Sequence, residues 1–248
     1  MSGKDNNMTI NEAGAALPRV SIIIVTYNAA KHIQKCLDSI YAQAYTAIDI
    51  IVIDGESTDD TADILKKNAV RLYYWTSEKD AGIYDAMNKA LKYIKGQWVY
   101  FIGADDELLS GFSDMLYELR DPTAIYYANV LVNGQKRSGR ISDYYMAKGG
   151  IYHQAIIYPK SVFINYVFNT RYKISADYAL NMQLYKDKHY HFEYLEHVIS
   201  KYNPDGISGR QKDASFEKDK TQLILANFGW KIGMRYLFRR LKAKVKKT

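Results

Sequence analysis

The sequence predicts an α/β fold, in which a mostly parallel central sheet carries helices on both faces. Short runs of β-branched residues alternate with segments of helical periodicity in the first half of the chain. These runs are continuously apolar, which is typical of strands covered on both faces. Strands that alternate with helices form parallel sheets, because each connection crosses one face before the next strand begins. With 48% hydrophobic residues among 248, the chain can bury one sizeable core.

The first half contains four predicted strands, at residues 20–25, 48–53, 71–75 and 98–102. Asn28 is a residue type that caps helices, and the helix predicted after it has apolar positions at Ile33, Leu37 and Ile40. Two further helices are predicted at residues 58–69 and 82–95. In the last one we expect these residues to face inward: Ile83, Met87, Leu91 and Ile94. Gly96 then follows as its stop signal.

The second half is less regular, but it shows neither a repeat nor a low-complexity linker. We predict a strand at 124–132 followed by an Asn133-Gly134 turn, extended segments at 151–158 and 191–202, and a helix at 176–186. Residues 20–227 are therefore expected to form one domain. Residues 1–19 are polar and small, lack the features of a secretory signal, and are predicted to be a disordered leader.

The basic charge of the protein is concentrated in its tail. The net charge is +7, yet residues 228–248 contain eight Lys or Arg and no acid, so the remainder carries −1. A nucleic-acid partner is therefore not expected. The apolar tail residues fall within an arc of about 100° at helical periodicity: Trp230, Met234, Leu237, Phe238, Leu241 and Val245. We predict a basic amphipathic helix that binds an anionic membrane surface; the alternative is a terminal helix whose apolar stripe packs on the domain.

The single cysteine and the shortness of the apolar runs indicate a cellular location. Its lone cysteine, Cys36, cannot form an intrachain disulfide, which favours a reducing compartment. No apolar run approaches the roughly 20 residues of a membrane-spanning helix. We expect a cytoplasmic protein that is peripheral at the inner face of the membrane.

Polar side chains follow three of the predicted strands. Ligands of open parallel sheets bind beyond the carboxyl ends of the strands, where loops and helix N-termini converge. The residues at these ends are Thr26, Tyr27 and Asn28 after the first strand, Asp54 after the second, and Asp105 and Asp106 after the fourth. We expect Asp54 and Asp106 to open onto one shared cavity.

The adjacent acids Asp105 and Asp106 predict a metal site. Two carboxylates directly after a buried strand are costly unless they are compensated. A divalent cation compensates them most simply, and oxygen ligands favour Mg²⁺ or Mn²⁺, with open positions for a diphosphate. The alternative is an acidic turn that caps a helix near residues 112–119.

Four segments carry a family resemblance: SIIIVTYN, VIDGESTDDT, SEKDAGIYDAMNKAL and YFIGADD. In this order and spacing they resemble family 2 glycosyltransferases with the GT-A fold, closely over residues 19–110 and more loosely over 150–210. The resemblance implies a nucleotide-sugar half (20–110) and an acceptor half (111–227). It also implies transfer of a sugar from a nucleotide donor, commonly a UDP-sugar, with a bound metal and usually with inversion.

The resemblance assigns the donor side residue by residue. Thr26, Tyr27 and Asn28 match the stretch around the nucleotide base and ribose, and Asp54 matches the acid that faces the base. Many members have a second acid where this chain has Gly55; a turn or helix cap is the alternative role of Asp54. The stretch from Asp80 to Asn88 resembles the start of the donor-binding helix, with Tyr84 and Asn88 on one face. Asp85 beside them has either a donor role or a solvated one.

The metal and acceptor residues follow in the same way. Asp106 aligns with the metal ligand and Asp105 with a residue near the ribose and metal, while Ala104 replaces the usual first acid. Asp177 matches the base that takes the acceptor proton, although Ala176 replaces the usual Glu before it. A helix cap is the alternative for Asp177.

Two weaker matches complete the predicted site. His153-Gln154 resembles a pair near the acceptor or diphosphate in a bacterial polysaccharide subgroup; the alternative is a structural histidine. Residues 205–208 resemble a loop that closes over the donor.

The predicted function is metal-dependent, inverting transfer of a sugar from a nucleotide-sugar to a hydroxyl of a lipid-linked saccharide. Capsule, lipopolysaccharide or exopolysaccharide synthesis would use such a reaction. The alternatives are a nucleotidyltransferase acting on sugar phosphates and a catalytically silent membrane-associated scaffold. A hydride-transfer enzyme is disfavoured, because no G-x-G-x-x-G motif follows the first strand.

Overall fold

A nine-stranded sheet forms the centre of the protein. The computed structural model describes residues 17–206, 209 and 211–245. The strands are β1 Val20–Thr26, β2 Ile48–Asp54, β3 Tyr74–Ser77, β4 Trp98–Gly103, β5 Glu107–Leu108, β6 Ala124–Val132, β7 Gln135–Arg137, β8 Ile156–Pro159 and β9 His191–Tyr202. Their order is β3-β2-β1-β4-β8-β6-β9-β5, with β7 paired to β6.

Eight helices surround the sheet in the described part of the chain. They are α1 Ile33–Tyr41, α2 Thr61–Asn68, α3 Ile83–Leu91, α4 Gly111–Glu118, α5 Asp143–Gly149, α6 Val162–Asn165, α7 Ala176–Lys186 and α8 Ala214–Val245. The strands β1 to β4 pair in parallel, whereas β8 joins β4 and β6 in antiparallel fashion. The predicted α/β fold with its mostly parallel sheet is confirmed.

Both faces of the sheet are buried, as the continuous apolar runs predicted. Ile22, Ile23 and Ile24 are each no more than 1% exposed, although successive side chains of a strand point to opposite faces. Ile23 belongs to one hydrophobic layer, and Ile22 and Ile24 belong to the other. Helices cover both faces of the sheet. Because β1 pairs in parallel with β2 and β4, the carboxyl ends of these three strands lie at one edge.

Some boundaries differ from the predicted ones for local reasons. β3 begins at Tyr74 rather than residue 71, because Ala69–Arg71 form a 3₁₀ turn. The predicted extended segment 151–158 contains a 3₁₀ turn at His153–Ala155, so that β8 starts at Ile156. The short elements β5, β7, α5 and α6 were not predicted, since each has too few residues for a periodic pattern.

Helix α3 is rotated and shorter than predicted. Tyr84 and Met87 are buried, whereas Ile83 is 36% exposed and Leu91 is only partly buried. The helix ends at Leu91, so Gly96 is not its stop signal. A Cβ atom at Gly96 would lie 2.6 Å from the backbone oxygen of Arg19 and from the backbone nitrogen of Ser21. Glycine is needed there because two backbone segments meet.

The end of the predicted leader packs against the domain. Leu17 contacts one hydrophobic layer, the hydroxyl of Tyr45 donates to the carbonyl oxygen of Pro18, and Arg19 pairs with Asp49 at 2.7 Å. The predicted disorder of residues 1–16 lies outside the described residues.

The C-terminal helix α8 exposes most of its predicted apolar stripe. Gly229, with φ 76° and ψ 172°, breaks the helix into two segments. In the second segment Ile232 and Tyr236 pack against the core. The exposed side chains are Trp230 (70%), Met234 (55%), Phe238 (70%) and Leu241 (61%). Among the helices of the described chain, none combines the length and apolar character required to cross a bilayer.

We predict that Gly96→Ala lowers the free energy of unfolding by about 1–3 kcal/mol, because the added methyl group forces two backbone segments apart. Urea denaturation measures the change. Gly149→Ala is the matched control, since the nearest atom to its Cβ would be 3.7 Å away. An unchanged urea midpoint for Gly96→Ala would contradict the close approach.

Candidate functional site

A cavity of about 500 Å³ opens at the carboxyl ends of β1 and β4. The sheet register sets these ends level, with Gly103 of β4 beside Val25 of β1. One side of the cavity is formed by residues after these strands: Thr26, Tyr27, Asn28, Asp105 and Asp106. The rest of its lining includes Tyr84 of α3 and three residues of the second half, His153, Ile174 and Asp177. The cavity therefore joins the two halves of the chain.

Asp106 is buried and held by two hydrogen bonds. It is 3% exposed. Its Oδ1 accepts from the backbone N–H of Asn203 at 2.8 Å, and its Oδ2 accepts from Nε2 of Gln154 at 2.9 Å. Burial raises the pKa of Asp106 to about 6. The carboxylate is thus fixed in a place where its negative charge lacks a full counter-charge.

Gln154 is itself immobilised, which explains why it can orient Asp106. Its backbone carbonyl oxygen accepts from the hydroxyls of Tyr100 at 2.8 Å and Ser200 at 2.9 Å. Gln154 is 1% exposed; it does not line the large cavity but lines a neighbouring one of about 280 Å³.

Asp105 lies next to Asp106 and shares a partner with it. Its Oδ2 accepts from Nδ2 of Asn203 at 3.1 Å. A Cβ atom at Gly103 would lie 2.9 Å from oxygens of both carboxylates, so glycine leaves room for the two acids to turn back over the strand end.

The residues around Asp105 and Asp106 fit a divalent metal whose coordination is completed largely by a bound ligand. Among the described residues, no group of three or more His, Cys, Asp and Glu is arranged to hold an ion by itself. Asp105 and Asp106 offer carboxylate oxygens, and each oxygen of Asp106 keeps a second lone pair beside its present hydrogen bond. Within the described chain, Nε2 of His153 is buried without a hydrogen-bond partner in the same cavity. Mg²⁺ and Mn²⁺ sites of this kind take one or two carboxylates and complete their coordination with phosphate oxygens and water.

On the donor side, Tyr27 and Thr26 present free groups to the cavity. The ring of Tyr27 is 63% exposed, and Oγ1 of Thr26 is buried with no partner among the described residues. Asn28 instead joins two loops: its Oδ1 accepts from the N–H of Thr58 at 2.8 Å, and its own N–H donates to Oγ of Ser57 at 2.8 Å.

Asp54 does not open onto the cavity, contrary to expectation. It is fully buried, and its carboxylate accepts from the N–H and Oγ of Ser57 and from Oγ of Ser77. Its contacts match the turn-forming alternative. The space beside Gly55 is taken by Asp80, whose Oδ2 lies 2.5 Å from where a Cβ at Gly55 would be. Asp80 therefore occupies the region where an acid at position 55 would project.

Asn88 is occupied with backbone contacts and does not line the cavity. Its Nδ2 donates to the carbonyl oxygen of Phe168, and its Oδ1 accepts from the N–H of the same residue, both at 2.9 Å. The expected donor contact of Asn88 is therefore replaced by a link between α3 and the segment before α7.

Tyr84 contacts Asp177 directly. Its hydroxyl lies 2.6 Å from Oδ1 of Asp177 and 2.8 Å from the carbonyl oxygen of Ile174, and it shares its proton between them. Burial raises the pKa of Tyr84 well above its ordinary value, so that the phenol stays protonated and acts as a donor.

Asp177 stands between the large cavity and a second cavity of about 280 Å³. It is the second residue of α7. Tyrosines line the second cavity: Tyr145, Tyr152, Tyr178 and Tyr202. A carboxylate that faces both spaces can take a proton from a group in one while that group attacks a molecule in the other.

Asn203 and the tyrosines of the second cavity were not predicted from the sequence. Asn203 follows β9, so its position at a strand end was the signal that could have identified it. The four tyrosines come from different elements, and no local pattern marks them. Of the predicted closing loop, Asp205 and Gly206 line the large cavity, while Ile207 and Ser208 lie outside the described residues.

The family model described as Glycosyl transferase family 2 matches residues 21–199. A PGL/p-HBAD biosynthesis glycosyltransferase of Mycobacterium tuberculosis is 33% identical over 217 residues, which cover 82% of this chain and 84% of the relative. The GalNAc(5)-diNAcBac-PP-undecaprenol beta-1,3-glucosyltransferase of Campylobacter jejuni is 27% identical over 219 residues, covering 80% of this chain and 70% of that one.

Solved structures share the fold. Residues 1–349 of S. aureus TarS in complex with UDP-GlcNAc superpose with a TM-score of 0.71 at 19% identity, covering 90% of this chain and 73% of that one. This chain spans 39% of a longer TarS chain. The mannosyltransferase PcManGT from Pyrobaculum calidifontis, in complex with GDP-Man and Mn²⁺, superposes with a TM-score of 0.62 at 20% identity, covering 91% and 76% of the two chains.

We predict that Asn88→Ala lowers the free energy of unfolding by about 1–3 kcal/mol, because a backbone N–H and C=O of Phe168 lose their partner. Chemical denaturation measures this loss. Nucleotide-sugar affinity of the folded variant, measured by calorimetry, should stay within about 2-fold, a difference of less than 0.5 kcal/mol. A loss of affinity with unchanged stability would show that Asn88 contacts the nucleotide-sugar.

Proposed function

Because the chain belongs to glycosyl transferase family 2, we propose that it transfers a sugar from a nucleotide-sugar, with a UDP-sugar favoured, to a hydroxyl of a saccharide acceptor. One observation carries this proposal. The acids Asp105 and Asp106, which follow β4, and the acid Asp177 of α7 line the same cavity. A donor diphosphate and an acceptor hydroxyl can therefore meet between them.

The donor nucleotide is proposed to lie along the end of β1. The exposed ring of Tyr27 would stack on the base, and Oγ1 of Thr26 offers an unsatisfied hydrogen-bonding group. Asp80 beside Gly55 is the acid best placed to face the base, in place of Asp54. Asp105 would contact the ribose. A UDP-sugar is favoured because solved relatives of the same fold were crystallised with UDP and UDP-GlcNAc, although another holds GDP-Man.

The reaction is proposed to be a single displacement with inversion. The acceptor oxygen forms a bond to the anomeric carbon, the bond from that carbon to the diphosphate oxygen breaks, and Asp177 takes the hydroxyl proton. Tyr84 holds the carboxylate of Asp177 in place. His153 would hydrogen-bond the diphosphate or the acceptor through its free Nε2, while Gln154 orients Asp106.

Asp106, with Asp105 beside it, would hold Mn²⁺ or Mg²⁺. Bound there, the metal supplies positive charge for the departing diphosphate, an effect that can reach several kcal/mol. The carboxylate donor set supports a hard divalent cation, and a structural relative contains Mn²⁺.

The acceptor is proposed to be a lipid-linked saccharide at the inner face of a membrane, with the enzyme in the cytoplasm. Helix α5 connects the second cavity to α8. Tyr145 lines this cavity, while Tyr144 packs under the guanidinium groups of Arg235 and Arg239, 4.0 and 5.3 Å from its ring centre. The apolar stripe exposed on α8 would enter the membrane interface, and the basic residues around it would contact anionic headgroups. The C. jejuni relative is named for an undecaprenol-linked acceptor.

We predict that Asp177→Asn lowers transfer by roughly 10²- to 10⁴-fold while donor binding is retained, because only the proton acceptor is removed. Asp106→Asn should lose both transfer and the Mn²⁺-dependent thermal shift caused by nucleotide-sugar. Release of nucleoside diphosphate in the presence of acceptor measures transfer.

Asp85→Asn is the matched control, because the carboxylate of Asp85 bonds the N–H of Ala81 and does not line the cavity. Full transfer by the Asp177→Asn variant would show that Asp177 is not the base. A nucleotidyltransferase or a silent scaffold would release no nucleoside diphosphate from any variant.

We predict that replacing Trp230, Met234 and Phe238 together by serine weakens binding to anionic vesicles at least about 10-fold, since each buried apolar side chain contributes about 1.5–3 kcal/mol. Vesicle flotation with phosphatidylglycerol measures this, with phosphatidylcholine vesicles for comparison. The control is Val70→Ser, which removes an apolar group that is 87% exposed elsewhere. Undiminished binding of the triple variant would refute the membrane role.

A further inference from the structure

Asp213 is a buried acid that lies outside both cavities. It directly precedes α8 and is 6% exposed. Its carboxylate caps α8, because Oδ1 accepts from the N–H of Phe216 at 3.0 Å and the backbone oxygen of Asp213 accepts from Glu217 at 2.8 Å. Capping alone uses only one of the two carboxylate oxygens.

The second oxygen of Asp213 binds the chain where it enters α7. Oδ2 accepts from the N–H of Ile174 at 2.8 Å and from the N–H of Ser175 at 3.3 Å. Ser175 is the cap residue of α7, and its own side chain makes no capping hydrogen bond. One carboxylate therefore joins the start of α8 to the start of the helix that carries Asp177.

The peptide unit between Ile174 and Ser175 is held from both sides. Its N–H faces Asp213, and its carbonyl oxygen accepts from the hydroxyl of Tyr84, which also contacts Oδ1 of Asp177. Asp177 follows this peptide by two residues, inside the first turn of α7. Any shift of the peptide moves Asp177 relative to the cavity.

We infer that Asp213 is a positioning residue for the base Asp177, an assignment that rests on the proposed transfer reaction. Hydrogen bonds from backbone N–H groups to an ionised carboxylate are shorter and stronger than neutral ones. Asp213 therefore fixes the start of α7 more firmly than a neutral cap would. A displacement of about 1 Å at a reacting group can lower a rate about 10²-fold.

Asp213→Ser separates the two roles of this residue. Serine still caps a helix through its Oγ, so α8 keeps its cap, but the side chain has no second oxygen for Ile174 and Ser175. We expect kcat of the folded variant to fall about 10- to 100-fold and its affinity for nucleotide-sugar to stay nearly unchanged. The free energy of unfolding should fall, because two backbone N–H groups lose their acceptor. Asp213→Asn should also lose one of the two sides, because only its amide oxygen can accept from a backbone N–H, whereas its amide nitrogen is itself a donor.

Asp219→Asn is the matched control. Asp219 is also an acid of α8, and it contacts the segment before α7 through the hydroxyl of Tyr172 at 3.0 Å and Arg171 at 3.1 Å. It does not contact the peptide between Ile174 and Ser175. We expect Asp219→Asn to leave kcat within about 2-fold of wild type, since the contacts of Asp219 with Tyr172 and Arg171 do not reach the peptide unit that precedes Asp177.

A double-mutant cycle with Tyr84→Phe tests whether the two residues act on the same peptide. If they do, the kcat of the double variant stays within about 3-fold of the slower single variant. Losses that multiply, or an unchanged kcat in folded Asp213→Ser, would overturn the assignment.

The same assays separate this inference from the proposed function. If wild type transfers sugar and Asp177→Asn does not, while Asp213→Ser retains full kcat, only the assignment of Asp213 fails. If Asp177→Asn retains full transfer, the base role and the assignment of Asp213 fail together.

Discussion

The site depends on one buried carboxylate, that of Asp106, which links its own segment to two others. Asp106 ends the chain segment that leaves β4, Gln154 lies in the turn before β8, and Asn203 follows β9. Burying a carboxylate is costly unless hydrogen bonds compensate it. Its two bonds therefore favour the arrangement that brings these segments to one edge of the sheet. This contact joins the two halves of the chain, and residues of both halves line a single cavity.

The antiparallel strand β8 brings residues of the second half of the chain to the sheet edge where the parallel strands end. Since β8 runs opposite to β4, the turn before it places His153 and Gln154 next to the acids that follow β4. Helix α7 then brings Asp177 to the same cavity, where Tyr84 of α3 meets it. The proposed groups for leaving-group stabilisation and for proton removal therefore line one shared space.

The sequence predicted local features well and long-range contacts poorly. Continuous apolar runs identified β1, β2 and β4, and the strand-end argument located Thr26, Tyr27, Asp105 and Asp106. Asp54 satisfied the same argument, yet its carboxylate bonds Ser77, 23 residues away, and is withdrawn from the cavity. Likewise Asn88 was predicted to meet the donor, but its side chain bonds Phe168, 80 residues away. Such pairings depend on the packing of whole elements, which periodicity does not encode.

In the proposed complex, a metal-bound donor lies between Asp106 and Asp177. A crystal structure with Mn²⁺ and a nucleotide-sugar, with the metal located by anomalous scattering, tests it most directly. We expect one manganese peak roughly 2.0–2.5 Å from a carboxylate oxygen of Asp106, with the diphosphate beside it and the sugar directed toward Asp177. A diphosphate bound on another surface, with no manganese at Asp105 or Asp106, would contradict this arrangement.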